Sequence, residues 1–411
     1  QSPGQETGGG TSLGVFARGY SVADDAPVLR QIPNQATDVG GTIAFTALAF
    51  DEDHDLDDLI FSLGPNAPLG AAIDPSTGAF TWSTLGVAPG RYFVDVEVRD
   101  LAGTLDSKRV AITVFAPGER TALDDYVNAI DSAYTWDLRN RIVGDGFVKY
   151  NLLLTSGTWR SSAEVNTPLW QHWLNIYVPD NLTRNEALLF IDGGSRSSTP
   201  PFDGDIDLYA GVLSKLARAV FIDLYSVPNQ PLQFSGESFT RSEDSIIAYS
   251  WRKYLETGDE MWPANLPMTR AAVRAMDAVS DFLGMPVGGN IDLSGFFVAG
   301  GSKRGWTTWL AAAVDPRVGG ALPGVFDALN LEDNFAHHYA YYNGNFSFAV
   351  DDYVDEGILD VDNFGTEGIS SLLALVDPYA YRDRLTLPKY LLNASGDEFF
   401  VPDSWQYYYN D

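Results

Sequence analysis

The 411-residue chain predicts two modules, an all-β sandwich over residues 27–116 and a larger α/β module with a mostly parallel sheet over 119–411. Three observations lead there. Short apolar alternations between turn signals fill the first stretch, which is the texture of a sandwich. Beyond Glu119, apolar runs alternate with segments of helical spacing, which is the texture of parallel βαβ units. Within the second stretch, Asp292 to Asp315 reads as strand, sharp turn and helix, with Ser302 at the turn.

Taken in order, residues 1–26 begin Gln-Ser-Pro-Gly-Gln-Glu-Thr-Gly-Gly-Gly-Thr and have no apolar period, which predicts a flexible linker. Strands follow at Thr42–Phe50, Leu59–Leu63, Phe80–Trp82, Tyr92–Val98 and Arg109–Phe115, with turns at Pro75-Ser-Thr-Gly78 and Pro89-Gly90. Ala116-Pro-Gly-Glu119 reads as the boundary. In the second module, Leu123–Ile130 has helical spacing. Lys149–Thr155, His172–Val178, Ala187–Ile191, Ala219–Leu224 and Phe296–Val298 read as strands. Leu208–Arg218, Glu243–Glu256 and Met268–Leu283 read as helices. Residues 328–375, aromatic and acidic and without alternation, are expected to form a cap inserted after the sixth strand. Pro388 to Asp397 is expected to be a late strand ending in Gly-Asp, and a helix is expected to begin near Asp403.

Composition excludes some functions. A net charge of −29 argues against nucleic acid, which requires a basic footprint. No run of about 18 apolar residues is present, so no transmembrane segment is expected. With zero cysteines there is no disulfide and no thiol catalysis. No signal peptide precedes Gln1, which leaves open whether one was removed.

Ser302 carries the chemistry. A serine between a buried strand and a helix N-terminus is a nucleophile elbow in outline, with its Oγ exposed and the helix amides available to an oxyanion. The pattern here is Gly-x-Ser-x-x-Gly, and Arg304 stands where a glycine would permit close approach; a serine that merely caps a buried helix is the alternative. Asp192-Gly-Gly-Ser195 follows an earlier strand, so Gly194 or Ser195 N–H, together with Lys303 N–H, are candidate oxyanion donors; a plain turn is the alternative. Asp397 lies 95 residues after Ser302, where a triad acid belongs, with Glu398 and Asp403 as neighbours able to substitute. The order Ser, Asp, His calls for a histidine after Asp397, and none occurs before Asp411. The expectation is therefore a C-terminally truncated, inactive chain.

The other histidines are read conservatively. His337 and His338 are expected to be buried or capping groups, with direct catalysis out of the expected order. Adjacent histidines on a helix cannot both face one metal, so no zinc is expected. His172 reads as structural and His54 as exposed and idle.

Gly300-Gly-Ser-Lys-Arg-Gly-Trp-Thr-Thr-Trp-Leu-Ala-Ala-Ala-Val-Asp-Pro-Arg-Val318 resembles the signature of the PhoPQ-activated pathogenicity-related protein family. Trp170-Gln-His-Trp-Leu-Asn-Ile-Tyr-Val-Pro179, Phe190-Ile-Asp-Gly-Gly-Ser195 and Asp377-Pro-Tyr-Ala-Tyr-Arg-Asp-Arg-Leu385 are similar to further family blocks, in the right order. The resemblance covers about residues 119–411 and implies an α/β-hydrolase-like fold. Pro27-Val-Leu-Arg-Gln-Ile-Pro-Asn-Gln35, Ile73-Asp-Pro-Ser-Thr-Gly-Ala-Phe-Thr-Trp82 and Val94-Asp-Val-Glu-Val-Arg-Asp100 resemble bacterial cadherin-like, immunoglobulin-type modules of secreted proteins. That resemblance places calcium ligands at Asp51, Asp53 and Asp100, where clustered carboxylates could supply oxygens; a solvated acidic loop is the alternative.

The expected protein is thus a secreted or periplasmic serine hydrolase acting on an ester or peptide through an acyl-enzyme. No cofactor is required for catalysis, Ca2+ is possible in the first module, and that module is a possible contact for an extracellular partner. The rival is a non-catalytic binding or signalling protein on a hydrolase scaffold.

Overall fold

The computed structural model describes residues 24–51, 54, 55, 58–201 and 204–410, the side chains of 204–208 excepted. Of the expected linker, only residues 24–26 are among them.

The first module holds β1 (Val28–Leu29), β2 (Gln35–Asp38), β3 (Thr42–Thr46), β4 (Ala49–Phe50), β5 (Ile60–Leu63), β6 (Ala72–Ile73), β7 (Ala79–Ser83), β8 (Gly90–Arg99) and β9 (Leu105–Phe115). A sheet of order β2-β9-β8-β5 faces one of order β3-β7-β6, and β1 pairs with β4. The period of two decides which side chains meet. Val94, Val96 and Val98 of β8 are buried with Val110, Ile112 and Val114 of β9, against Phe80 and Trp82 of β7.

The second module opens with α1 (Ala122–Asn128), started by a capping box between Thr121 and Asp124. Then come β10 (Thr135–Val143), β11 (Phe147–Thr158), β12 (Leu169–Pro179), β13 (Glu186–Ile191), α2 (Gly204–Ala217) and β14 (Val220–Tyr225). Next are α3 (Asp244–Thr257), α4 (Asn265–Gly284), β15 (Gly295–Gly301), α5 (Lys303–Val314) and β16 (Val318–Gly324). The sheet order is β10-β11-β12-β14-β13-β15-β16. The first three pairings are antiparallel and the last three parallel. Strand order reverses at β13, between β14 and β15. Ligands of open α/β sheets bind at such a reversal, outside the carboxyl ends of the strands.

Pro388–Leu392 runs beside β16 through parallel bridges at Ala321–Lys389 and Gly324–Leu392. The expected late strand is thus present as two bridges and not as a continuous ladder. After β16 come α6 (Leu331–Tyr341), α7 (Asp351–Asp355) and α8 (Glu367–Val376), within the stretch expected to be a cap. The helix expected near Asp403 is a single 3-10 turn, Ser404–Tyr407.

The two modules meet at the ends of α4 and α5. The Arg30 guanidinium forks onto Asp281 at 2.7–3.0 Å, Gln31 N–H adds a bond of 3.0 Å, and Trp136 Nε1 donates to the same carboxylate at 3.0 Å. Asn34 donates to Asp315 at 2.8 Å. Asp281 and Asp315 are buried, so each needs these donors to offset the loss of water.

Candidate active site

β15 buries Phe296 and Val298 and delivers the chain to Ser302. Ser302 has φ 56° and ψ −126°, a region almost reserved for glycine, which stores strain of about 1–3 kcal/mol. The conformation is held from both sides. Ser302 N–H donates to Gly324 O at 2.9 Å, and Ser302 O accepts from Trp306 N–H at 3.0 Å. The side chain makes no capping bond, which disfavours the reading of Ser302 as a helix cap.

The apparent fault in the motif is resolved here. A Cβ on Gly300 would lie 2.6 Å from Arg304 O. One on Gly305 would lie 2.7 Å from Gly324 O and 3.1 Å from Gly300 O. The close approach is therefore made three residues after the serine, at Gly305, and Arg304 is free to point elsewhere.

The turn after β13 lies against the start of α5, since a Cβ on Gly193 would sit 2.7 Å from Arg304 Nη2. Gly194 has φ +91°, and a Cβ there would be 2.1 Å from Tyr225 Cζ. The carbonyls of this turn are committed, that of Gly193 accepting from Ser226 N–H at 2.6 Å and that of Gly194 from Gln230 Nε2 at 2.9 Å. The amides of Gly194, Ser195 and Lys303 have no acceptor among the described residues. Donors left open beside a half-buried serine suit an oxyanion.

A polar network that motif reading did not find joins these pieces. Lys303 Nζ pairs with Glu243 Oε2 at 2.7 Å and Asp244 Oδ2 at 2.8 Å. Arg304 Nη2 pairs with Glu243 Oε1 at 2.7 Å, and its Nε donates to Val227 O at 2.5 Å. Gln230 Nε2 donates to Glu243 Oε1 at 2.5 Å, and Gln230 Oε1 accepts from Glu243 N–H at 2.7 Å. Burial works against the Glu243 charge, but Arg304 and Lys303 outweigh it and hold the carboxyl down at about 2. No local spacing signals this group, because its partners lie far apart in sequence.

Asp397 follows the bridged segment beside β16, and its Oδ1 accepts from the amides of Phe399 at 2.8 Å and Phe400 at 3.1 Å. Among the described residues it meets neither a histidine nor Ser302. His172 is buried in the sheet, bonded to Ser156 Oγ at 3.1 Å and Ser226 O at 3.0 Å; burial lowers its pKa to about 4. His337 Nε2 is 2.7 Å from Asp403 Oδ1, and that bond lowers the Asp403 pKa. His338, one position on, is buried, and burial lowers its pKa. It lines an apolar cavity of about 40 Å³ with Trp251, Trp306, Phe326, Phe399 and Phe400. Among the described residues, the His338 ring has only the Glu398 main chain near it as a polar neighbour, outside good hydrogen-bond geometry, and Oδ1 of Asn334, one turn earlier on α6, has no partner. Asp377, in one of the family-like blocks, is pushed up to about 7 by burial while it accepts from Leu331 and Tyr379 amides.

In the sandwich, Asp53 lies outside the described residues. Asp51 accepts from His54 N–H at 3.1 Å, and buried Asp100 is engaged by the amides of Gly103 at 2.6 Å and Thr104 at 2.8 Å. Among the described residues, ligand-capable atoms of Asp24, His54 and Asp100 lie within 4.8 Å of one another. His54, expected to be exposed, is half-buried, 3.4 Å from Asp51 Oδ1 and 3.9 Å from Asp24 Oδ1, and Asp51 is not one of that group of three.

A sheet reversing order at β13, a strained serine after the next parallel strand and a late strand followed by a carboxylate define an α/β-hydrolase fold preceded by an immunoglobulin-type sandwich. The chain belongs to the PhoPQ-activated pathogenicity-related protein family, whose model matches residues 123–411; an Ig-domain model matches residues 26–115. It is 42% identical over 292 residues to autocrine proliferation repressor protein A of Dictyostelium discoideum, covering 71% of this chain and 58% of that one. The chain thus spans under two thirds of the length of that relative. Among solved structures it is similar to an acetyl xylan esterase from Paenibacillus sp. R4, with 13% identity, TM-score 0.43 and coverage of 70% of this chain and 90% of that one. A glucuronoyl esterase from Solibacter usitatus shows 13% identity, TM-score 0.39 and coverage of 67% and 71%. No helix among the described residues is long and apolar enough to cross a membrane.

Proposed function

We propose that this chain carries the nucleophile and oxyanion hole of a serine hydrolase acting on an ester or peptide carbonyl. The observation behind it is the strained backbone of Ser302 beside uncommitted amides at the sheet's reversal point. Ser302 Oγ attacks the carbonyl carbon and its proton passes to a base. The oxyanion is held by Lys303 N–H and by Gly194 or Ser195 N–H. Collapse expels an alcohol or amine that takes up that proton, and water then hydrolyses the acyl-enzyme. Among the described residues, none of the four histidines of this sequence is hydrogen-bonded to Ser302.

A second reading, a binding or signalling protein on this scaffold, draws on the name of the Dictyostelium relative and on the Asp397 oxygen already engaged by two amides. The two readings part on one assay. Full-length protein should hydrolyse p-nitrophenyl acetate, and Ser302→Ala should abolish turnover. A folded wild type without turnover favours the binder.

A further inference from the structure

We propose that Glu243 is a positioning residue that sets the spacing of the two sides of the oxyanion hole. The inference rests on the serine-hydrolase reading. One side is the turn carrying Gly194, the other the first turn of α5 carrying Lys303. These segments are about a hundred residues apart in sequence and pair through no continuous ladder at that point. A single carboxylate reaches both. Toward the turn, Glu243 grips Gln230 twice, through Oε1 at 2.5 Å and through its own N–H at 2.7 Å, and Gln230 holds Gly194 O at 2.9 Å. Toward the helix, it takes Lys303 Nζ and Arg304 Nη2, each at 2.7 Å.

Three further features mark this as more than a surface ion pair. The cations are nearly buried, with side chains 8% and 12% exposed, so each depends on its anion. The Arg304 guanidinium lies against Gly193, where any side chain on that residue would displace it. Glu243 also holds φ 56° and ψ −132°, almost the conformation of Ser302, and α3 begins at the next residue just as α5 does after the serine. Two strained helix starts are thus locked to each other across the hole. Asp244 gives Lys303 a second partner at 2.8 Å, and Arg304 Nε also ties α5 to the neighbouring loop at Val227 O, 2.5 Å away; among the described residues, Glu243 is the side chain bonded to both Gln230 and Arg304.

If Glu243 positions the hole, Glu243→Ala in the full-length protein should lower kcat on p-nitrophenyl acetate by roughly 10- to 100-fold, with KM within about twofold, since a small displacement of donors costs that much. Glu243→Gln keeps an oxygen for Arg304 and Gln230 and should recover most of the rate. A role confined to starting α3 would not give that split. Amide hydrogen exchange supplies a readout independent of activity. In Glu243→Ala, exchange should rise together in segments 193–196 and 303–306. Should Glu243→Ala fail to fold, Gln230→Ala cuts only the turn side and should raise exchange at 193–196 alone. Faster exchange limited to 243–247, or no change at 193–196 in either variant, overturns the proposal. A wild type without esterase turnover sinks the hydrolase reading, and the exchange result then decides the coupling by itself.

Discussion

Replacing Gly194 by alanine tests the turn side of the hole. The new Cβ would stand 2.1 Å from Tyr225 Cζ and 2.2 Å from its Oη, against a contact distance of about 3.5 Å for carbon atoms. Either the ring or the turn must move by more than about an ångström. The backbone adds to this, since φ is +91° and a side chain in the left-handed region costs about 1–2 kcal/mol. Stability should fall by about 1–3 kcal/mol, the usual cost of overpacking, read as a lower denaturation midpoint. If the turn moves, the amide leaves the oxyanion position and kcat should drop roughly 10²- to 10³-fold, with KM little changed. Adding Tyr225→Ala makes room for the methyl and should return part of the lost rate. A Gly194→Ala enzyme with normal kcat and altered KM alone would refute the oxyanion role.

Three other predictions are independent of it. Gly305→Ala should destabilise the fold by about 1–3 kcal/mol, because its Cβ would meet main-chain oxygens of Gly324 and Gly300, which cannot step aside; an unchanged midpoint would show that the elbow tolerates a side chain there. His172 has a folded pKa of about 4, below its ordinary value of 6.5, so the unfolded chain takes up the proton first. The stability this gives is complete above about pH 6.5 and is lost as pH falls toward 4, on the order of 3 kcal/mol; His172→Gln should flatten that part of the pH profile, and an unaltered slope would count against it. If the sandwich loops hold calcium, millimolar calcium and not magnesium should raise its melting transition, whereas a flat response removes the ion from the account.

What the sequence disclosed was mostly local. A glycine pair, a serine and a resumed helical period place the elbow, because its geometry is dictated by residues within a turn of Ser302. The same holds for the turn at Gly193 and Gly194. Spacing does not say which glycine faces the neighbouring strand, so Arg304 stands out of pattern in the sequence; the main-chain oxygen of Gly324 identifies Gly305. β10 carries no alternating signal in the sequence, because it is an exposed edge strand interrupted by the charges of Asp137, Arg139 and Arg141. Glu243 was legible only as the start of a helix, for its role depends on Gln230, Lys303 and Arg304 arriving from separate elements. In the sandwich, a run of aspartates drew attention to Asp51, while the fold brought His54 and Asp24 to Asp100.

The central claim is that Ser302 is a nucleophile, and covalent labelling tests it most directly. Full-length protein treated with a fluorophosphonate, digested and mapped by mass spectrometry should carry one adduct, on Ser302, and Ser302→Ala should carry none. A folded wild type that stays unlabelled, or a label that persists in Ser302→Ala, would contradict the account.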